Sequence, residues 1–151
     1  MAAATSMLGR PYLLEGTIER GNQLGRTIGF PTANLGLCDQ LIPRHGVYAG
    51  YVWLRAVDES TQLPTICTLP SNLIPAVVNI GLRPTVDKNS TVPRIEAHLL
   101  ADGIGPDSLY GVKAGVYLAH RLRDETRFPD IQQLKEQIAV DVTQAKAWFS
   151  R

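Results

Sequence analysis

The chain has 151 residues, of which 44% are hydrophobic and 19% are charged, and its formal net charge at pH 7 is +1. This length suffices for one domain with its own core, and the balanced charge excludes a broad electrostatic surface for nucleic acid or anionic membrane. Two cysteines are too few for a disulfide framework or a four-ligand zinc site. The sequence shows neither a secretory signal nor a spanning apolar run, so we expect a cytoplasmic protein with no nucleic-acid and no membrane partner.

The first half of the chain alternates between strand-like segments and glycine-containing connections. Residues 1–10 are small and polar, which predicts a tail or linker remnant before a folded domain at 11–151. Residues 12–18 predict a short strand that leads into a glycine-punctuated loop at 19–25. The best strand signal covers Gly46–Leu54, which is rich in β-branched and aromatic residues and apolar on both faces.

The second half of the chain begins with a segment that lacks a clear strand pattern. Residues 55–74 are interrupted by prolines and predict a long hairpin excursion or a mobile loop. A buried strand is expected at 75–81, a loop at 82–93 and a further strand at 113–122. In residues 94–100, Ile95, Ala97 and Leu99 point one way and Arg94, Glu96 and His98 the other, which is typical of a strand with one buried face.

The C-terminal segment predicts an amphipathic helix. Asp130 is placed to cap it, with Gln133 three residues later as in a capping box. Apolar residues recur at three- and four-residue spacing: Ile131, Leu134, Ile138, Val142, Ala145, Trp148 and Phe149. Short strands followed by one terminal helix favour a mainly β fold, an antiparallel barrel with the helix packed on it.

Residues 25–35 read GRTIGFPTANL and gather groups suited to an anion and a metal ion. Glycine allows close backbone approach to a ligand, and Arg26 offers a planar fork of donors suited to phosphate. Thr32 and Asn34 share a face if extended, and their neutral oxygens suit Mg²⁺ that takes its charge from substrate phosphates. The pattern is equally typical of a tight connection whose side chains satisfy loop backbone groups, and 21–27 lacks the spacing and lysine of a P-loop.

Glu96 is the carboxylate of greatest interest because it lies in mid-strand, on the face opposite Ile95 and Ala97. A carboxylate positioned in this way can take a proton from an attacking alcohol. The alternative is a solvated strand residue that pairs with Arg94. His98 lies on the same face as Glu96, where a structural role is more common than a catalytic one.

The connection between the last strand and the helix combines charge with one aromatic ring, in the sequence RDETRF at 123–128. It could clamp a planar polar ring, with Phe128 stacking on it and Arg123 donating hydrogen bonds. It could equally be a charged connection whose Phe128 folds onto the helix.

Together these signals form one ordered series of blocks. The blocks are GRTIGFPTANL at 25–35, GVYAG at 46–50, PAVVNIG at 75–81 with RPT at 83–85, EAHLL at 96–100, LYG at 109–111, and LRDETRF at 122–128 followed by QIAVD at 137–141. Over about residues 9–149 the series closely resembles riboflavin kinase, particularly the kinase module in the C-terminal half of bifunctional bacterial FAD synthetases.

The resemblance implies a six-stranded Greek-key barrel with a C-terminal helix, and transfer of the γ-phosphoryl group of ATP to riboflavin, giving FMN and ADP. It implies that Mg²⁺ is held by Thr32 and Asn34 together with ATP, and that Glu96 is the general base. The flavin side would be formed by Arg123, Glu125 and Phe128. The nucleotide side would be formed by Gly21, Gly25, Arg26, Gly29, Pro31, Thr32 and Asn34.

The sequence departs from that family in two respects. Residues 55–74 are longer than the usual hairpin, and an HxGH motif of the adenylyltransferase half is absent from the sequence. We therefore expect FMN but not FAD as a product. The sequence MLGRPY at 7–12 resembles the junction with a missing N-terminal adenylyltransferase domain, which leaves an excised module and a monofunctional homologue both open. A non-catalytic flavin- or nucleotide-binding module is the alternative function.

Overall fold

Pairing between strands that are distant in sequence closes the sheet into a barrel. The computed structural model describes residues 1–21, 24–36, 39–54, 72–84, 91–101, 103–104 and 106–151. The strands within these ranges are β1 (Tyr12–Glu19), β2 (Ala33–Leu35), β3 (Gly46–Leu54), β4 (Ile74–Pro84), β5 (Thr91–Leu99) and β6 (Lys113–Arg123).

The barrel has the order β1-β2-β5-β4-β3-β6, and neighbouring strands run antiparallel. Strands β3, β4 and β5 pair consecutively, whereas β6 returns from a longer connection to lie beside β3. This is Greek-key connectivity. The predicted mainly β, six-stranded antiparallel barrel is therefore confirmed.

The interior of the barrel is filled by alternate side chains of its strands, because successive residues of a strand point to opposite faces. Tyr48 is among the largest of these and is 1% exposed. Its hydroxyl donates a hydrogen bond to the carbonyl oxygen of Arg44. The other fully or nearly fully buried members include Leu14, Val52, Val78, Ile80, Ile95, Ala97, Val116 and Leu118.

Three α-helices accompany the barrel in the described residues: α1 (Ala2–Leu8), the single turn α2 (Leu24–Thr27) and α3 (Ile131–Phe149). The Asp130 carboxylate accepts a hydrogen bond from the backbone N–H of Gln133 at 2.8 Å, as the capping pattern predicts. Helix α3 covers the outer face of the barrel, where Ala145 packs in one buried cluster with Val47, Ala49 and Val77. Strand β3 is therefore buried on both faces.

Several expected boundaries differ from the structure. The loop expected at 82–93 is shorter, because β4 continues to Pro84 and β5 begins at Thr91; cross-strand pairing from Leu82 to Pro84 extends the ladder beyond the glycine at 81. The expected loop at 19–25 contains the start of α2. Residues 1–10, interpreted as a tail, include helix α1, and the domain boundary at 11 stays a prediction. Of the excursion expected at 55–74, residues 55–71 lie outside the described part of the chain.

Within the described part of the chain, no helix combines the length and apolarity needed to cross a bilayer.

Candidate active site

A row of side chains crosses the outer face of the barrel from β2 to β6. Asn34 pairs with Glu96, Glu96 with Asn79, Asn79 with Val47, and Val47 with Arg123. Directly paired residues of antiparallel strands present their side chains on the same face. Since the sequence neighbours of the first four residues fill the barrel interior, their side chains lie outside it. The side chain of Arg123 lies on the same outer face, where it contacts Asp141 of α3. Non-local register thus brings residues separated by up to 89 positions into one line.

A cavity of about 220 Å³ lies between this row and helix α3. Strand residues Asn79, Arg94 and Glu96 form its floor, while Leu134, Ile138 and Asp141 of α3 contribute a wall. Six residues that the sequence singled out line the cavity: Gly25, Thr32, Glu96, Arg123, Glu125 and Phe128. Both the GRTIGFPTANL segment and the connection at 123–128 therefore reach the same space as Glu96.

Arg94 joins Asn34 and Glu96, the first two residues of the row. Its Nε donates a hydrogen bond to Oδ1 of Asn34 at 3.1 Å, and its Nη2 lies 2.6 Å from Oε1 of Glu96. Asn34 is 9% exposed, and the side chains of Arg94 and Glu96 are 24% and 22% exposed. The guanidinium fork consequently fixes the orientation of both partners. Glu96 forms the ion pair with Arg94 that was expected of a structural residue. It also lines the cavity, as a catalytic base would have to do.

The glycine-containing segment packs tightly beside this row. A Cβ atom at Gly21 would overlap the side-chain amide of Asn34, so a larger residue there would displace that amide. Gly29 has a φ of +88°, which favours glycine. The backbone N–H of Phe30 donates to the carbonyl oxygen of Gly25 at 2.7 Å and closes the turn.

Residue 31 is held from the neighbouring strand. The Nδ1–H of His98 donates a hydrogen bond to the carbonyl oxygen of Pro31 at 2.9 Å, and the His98 ring lies edge-on to Phe30 with centroids 5.4 Å apart. His98 therefore fixes the backbone immediately before Thr32.

Arg26 belongs to the GRTIGFPTANL segment, but its side chain points towards Asp107. It forms an ion pair with Asp107 in a 3-10 helix at Pro106–Leu109. Hydrogen bonds from Arg26 and then from Tyr110 hold the pKa of the Asp107 carboxyl below its usual range. Arg26 does not line the cavity described above.

The flavin-side residues of the prediction are anchored to α3 and β4. The guanidinium of Arg123 binds both oxygens of Asp141, at 2.8 Å from Nε and 2.7 Å from Nη2, and its centre lies 5.7 Å from the ring centroid of Phe128. The carboxylate of Glu125 rests on Gly81, where a Cβ atom would overlap it. The sequence predicted that Arg123 donates hydrogen bonds to a ligand, but two of its guanidinium nitrogens, Nε and Nη2, already donate to Asp141.

A second cavity, of about 630 Å³, lies on the other side of Phe30 and His98, which line both spaces. Gly29, Pro31 and Ala33 form one side of it, and the chain after β5 forms the other. Its remaining lining residues are Leu99, Leu100, Ala101, Gly103, Ile104, Val142 and Lys146.

Two residues of the site, Asn79 and Asp141, had no role in the sequence-based hypotheses, which named Arg94 only as a partner of Glu96. The position of Asn79 and the hydrogen bond from Arg94 to Asn34 depend on strand register, which no local pattern shows. Asp141 does carry a local signal, because it follows Ile138 by three residues and Leu134 by seven and so falls within the apolar stripe. A carboxylate on the buried face of a helix indicates a specific partner.

Comparisons with known proteins agree with this architecture. The family model for riboflavin kinase, or flavokinase, matches residues 8–149. The bifunctional riboflavin kinase/FMN adenylyltransferase of Haemophilus influenzae is 38% identical over 147 residues, which cover 97% of this chain and 42% of that protein. The chain therefore spans about two fifths of the length of the curated relatives it matches, at 42% for both Haemophilus influenzae and Escherichia coli.

Solved structures show the same fold. One described as a macrolide-efflux protein from Streptococcus pneumoniae has a TM-score of 0.76 and 31% identity, covering 97% of this chain and 42% of its own. Riboflavin kinase from Trypanosoma brucei has a TM-score of 0.60 and 22% identity, covering 93% of this chain and 78% of its own. The family model, which matches nearly the whole chain, shows that the chain belongs to the riboflavin kinase family.

Proposed function

We propose that this chain transfers the terminal phosphoryl group of ATP to the 5′-hydroxyl of riboflavin, giving FMN and ADP. One observation carries the proposal: a single cavity is lined by Thr32 of the GRTIGFPTANL segment, by Glu96, and by the connection at 123–128. Membership of the riboflavin kinase family supports the choice of acceptor. The transferred phosphoryl group, a general base and the aromatic ring of the acceptor are therefore proposed to meet in this cavity.

Glu96 is proposed as the general base. Its carboxylate accepts the proton of the ribityl hydroxyl as the hydroxyl oxygen forms a bond to the γ-phosphorus, while the bond to the β,γ-bridging oxygen breaks and ADP leaves. The ion pair with Arg94 at 2.6 Å holds the Glu96 side chain in one orientation. Positioning of this kind matters because phosphoryl transfer depends on alignment and charge neutralisation more than on covalent participation.

The nucleotide is proposed to lie along the segment from Gly21 to Asn34. The backbone at Gly29 is accessible to phosphates, because this glycine is exposed and no atom lies near the position that a Cβ atom would take. The second cavity, which adjoins Gly29 and Pro31 beyond His98, is proposed for the base and sugar. In this proposal, Arg26 contacts the phosphates only after its ion pair with Asp107 breaks.

Thr32 and Asn34 are proposed to hold Mg²⁺ together with the ATP phosphates. Among the described residues, no group of three or more His, Cys, Asp or Glu side chains could hold a metal ion, so the neutral oxygens of these two residues would be used. The donor set fits, since a hydroxyl and an amide oxygen are hard ligands. Oδ1 of Asn34 already accepts from Arg94, and an amide oxygen has a second lone pair. Bound Mg²⁺ would neutralise charge that develops on the transferred phosphate.

The flavin ring is proposed to bind at the wall formed by the connection at 123–128. Phe128 offers a ring for stacking and Glu125 offers acceptor oxygens to the polar edge of the flavin. Leu134 and Ile138 of α3 add apolar surface to the same cavity. The mixture of apolar walls and a few convergent polar groups is typical of a small-molecule site.

Chromatographic assay of FMN and ADP after incubation with riboflavin and Mg-ATP tests the proposal. The Glu96→Gln variant should lower kcat by roughly 10²-fold or more, because general bases contribute about that much, while nucleotide binding persists. Glu136→Gln, on the exposed side of α3, is the matched control and should retain wild-type turnover.

Three results would alter the proposal. Absence of FMN would remove the kinase function, and riboflavin binding without ADP release would favour the non-catalytic module. Unchanged kcat in Glu96→Gln would exclude Glu96 as the base. FAD is measured in the same chromatogram, where the prediction is that none forms.

A further inference from the structure

Asp141 is a buried carboxylate in the middle of α3, and it is 2% exposed. Transfer of a carboxylate from water into a protein interior is costly unless it is paired and hydrogen-bonded. Asp141 meets this condition with three hydrogen bonds: two from Arg123 and one from Nε2 of Gln137 at 2.9 Å. The pair lies in the wall of the candidate active site, since both Arg123 and Asp141 line the first cavity.

Stability alone does not account for this arrangement. A buried ion pair is often no more stabilising than apolar residues of similar volume, and α3 already packs on the barrel through Ala145 and its neighbours. The contribution of the ion pair is to fix the orientation of the Arg123 guanidinium. Two parallel hydrogen bonds hold the guanidinium of Arg123 in one plane, which a single contact would not.

Arg123 transmits that orientation to the connection at 123–128. It is the last residue of β6, and its Nη1 donates to the carbonyl oxygen of Asp124 at 2.9 Å. Its guanidinium also lies 5.7 Å from the ring centroid of Phe128. One side chain therefore contacts the helix, the first peptide of the connection and the aromatic ring. Arg123 lines the cavity with its fork directed at Asp141.

We propose that Asp141 is a positioning residue for the acceptor site, acting through Arg123 to hold the connection at 123–128 and Phe128 in the geometry that receives the acceptor ring. This inference rests on the proposed function, because the acceptor is taken to be riboflavin. Asp141 acts on acceptor binding and not on nucleotide binding, because its hydrogen-bond partners Arg123 and Gln137 do not line the second cavity, which is proposed for the base and sugar of the nucleotide.

Kinetics of Asp141→Asn test the proposal, with Glu136→Gln as the control on the same helix. Asparagine keeps the size of the side chain but loses the charge and one of the two acceptor oxygens. The KM for riboflavin should rise roughly 10- to 100-fold, the range that a misplaced contact can cost, while the KM for ATP changes less than about twofold. Amide hydrogen exchange at 124–129 should become faster, and the control should match the wild type in all three measurements.

The double variant Arg123→Met with Asp141→Leu replaces the pair by apolar residues and remains informative if Asp141→Asn fails to fold. It should melt near the wild-type temperature and still show the raised KM for riboflavin. The proposal is overturned if either folded variant binds riboflavin as the wild type does, or if both KM values rise together. Failure of the proposed function is distinguishable, because the wild type itself would then make no FMN.

Discussion

Replacing Arg94 by methionine removes the guanidinium that joins Asn34 to Glu96 and keeps most of its apolar stem. Two contacts disappear: the hydrogen bond of 3.1 Å to Asn34 and the ion pair of 2.6 Å to Glu96. Both partners remain in place on adjacent strands because backbone pairing between β2 and β5 is unaffected. The substitution should therefore change the orientation of the Asn34 and Glu96 side chains without changing the fold.

The expected cost follows from burial. The bond to the nearly buried amide of Asn34 is worth about 1 kcal/mol, and the hydrogen-bonded ion pair to Glu96 about 1–2 kcal/mol after allowance for partial exposure. The free energy of unfolding should fall by about 2–3 kcal/mol, which for a domain of this size lowers Tm by roughly 5–10 °C. Turnover should fall as well, because Glu96 loses the contact that fixes its rotamer.

Urea unfolding followed by circular dichroism measures the first effect, and FMN production below the new Tm measures the second. Arg44→Met is the matched control: Arg44 pairs with Asp124 on the surface, where its side chain is 75% exposed, and such pairs contribute little. If Arg94→Met and Arg44→Met unfold at the same urea concentration, Arg94 does not hold the row together. A loss of stability with unchanged kcat would limit Arg94 to a structural role.

Two further predictions concern the edges of the site. Gly81→Ala places a Cβ atom against the flexible carboxylate of Glu125, so stability should change by less than about 1 kcal/mol while the KM for riboflavin rises severalfold; an unchanged KM would separate Glu125 from acceptor binding. Because Arg26 and then Tyr110 lower the pKa of Asp107, the ion pair stabilises the fold above the usual carboxyl range, and this contribution disappears as pH falls through the lowered pKa. Urea titrations from neutral pH to about pH 2 should show a smaller acid loss for Asp107→Asn than for the wild type, and parallel curves would contradict this sign.

The elements that could be predicted are those whose signal is local. Strand Gly46–Leu54 agrees with its expected bounds because β-branched and aromatic residues cover both buried faces. The alternation around Glu96 predicted which side chains leave the core, and Ile95 and Ala97 are each 3% exposed. The Asp130 cap was equally visible, because its partner lies only three residues away.

The elements that could not be predicted depend on contacts between distant residues. Strand β2 has only three residues and is too short for a periodic pattern; it exists because β1 and β5 pair with it on both sides. The link from Arg94 to Asn34 spans 60 positions and follows from register alone. The continuation of β4 beyond Gly81 likewise depends on pairing with β5, which overrides the glycine and proline signals.

The proposed acceptor side and the proposed nucleotide side of the candidate site are held in place by different contacts. On the acceptor side, Arg123 ends an 11-residue strand and is fastened to a 19-residue helix through Asp141. On the nucleotide side, β2 pairs with β1 through two residues and with β5 through three, and few ladder hydrogen bonds mean a low local free energy of opening. Side chains of β5 make up for this: His98 holds the carbonyl of Pro31, and Arg94 holds the amide of Asn34. Since Glu96 lies between them on the same face, the strand that carries the proposed base also positions the proposed metal ligands.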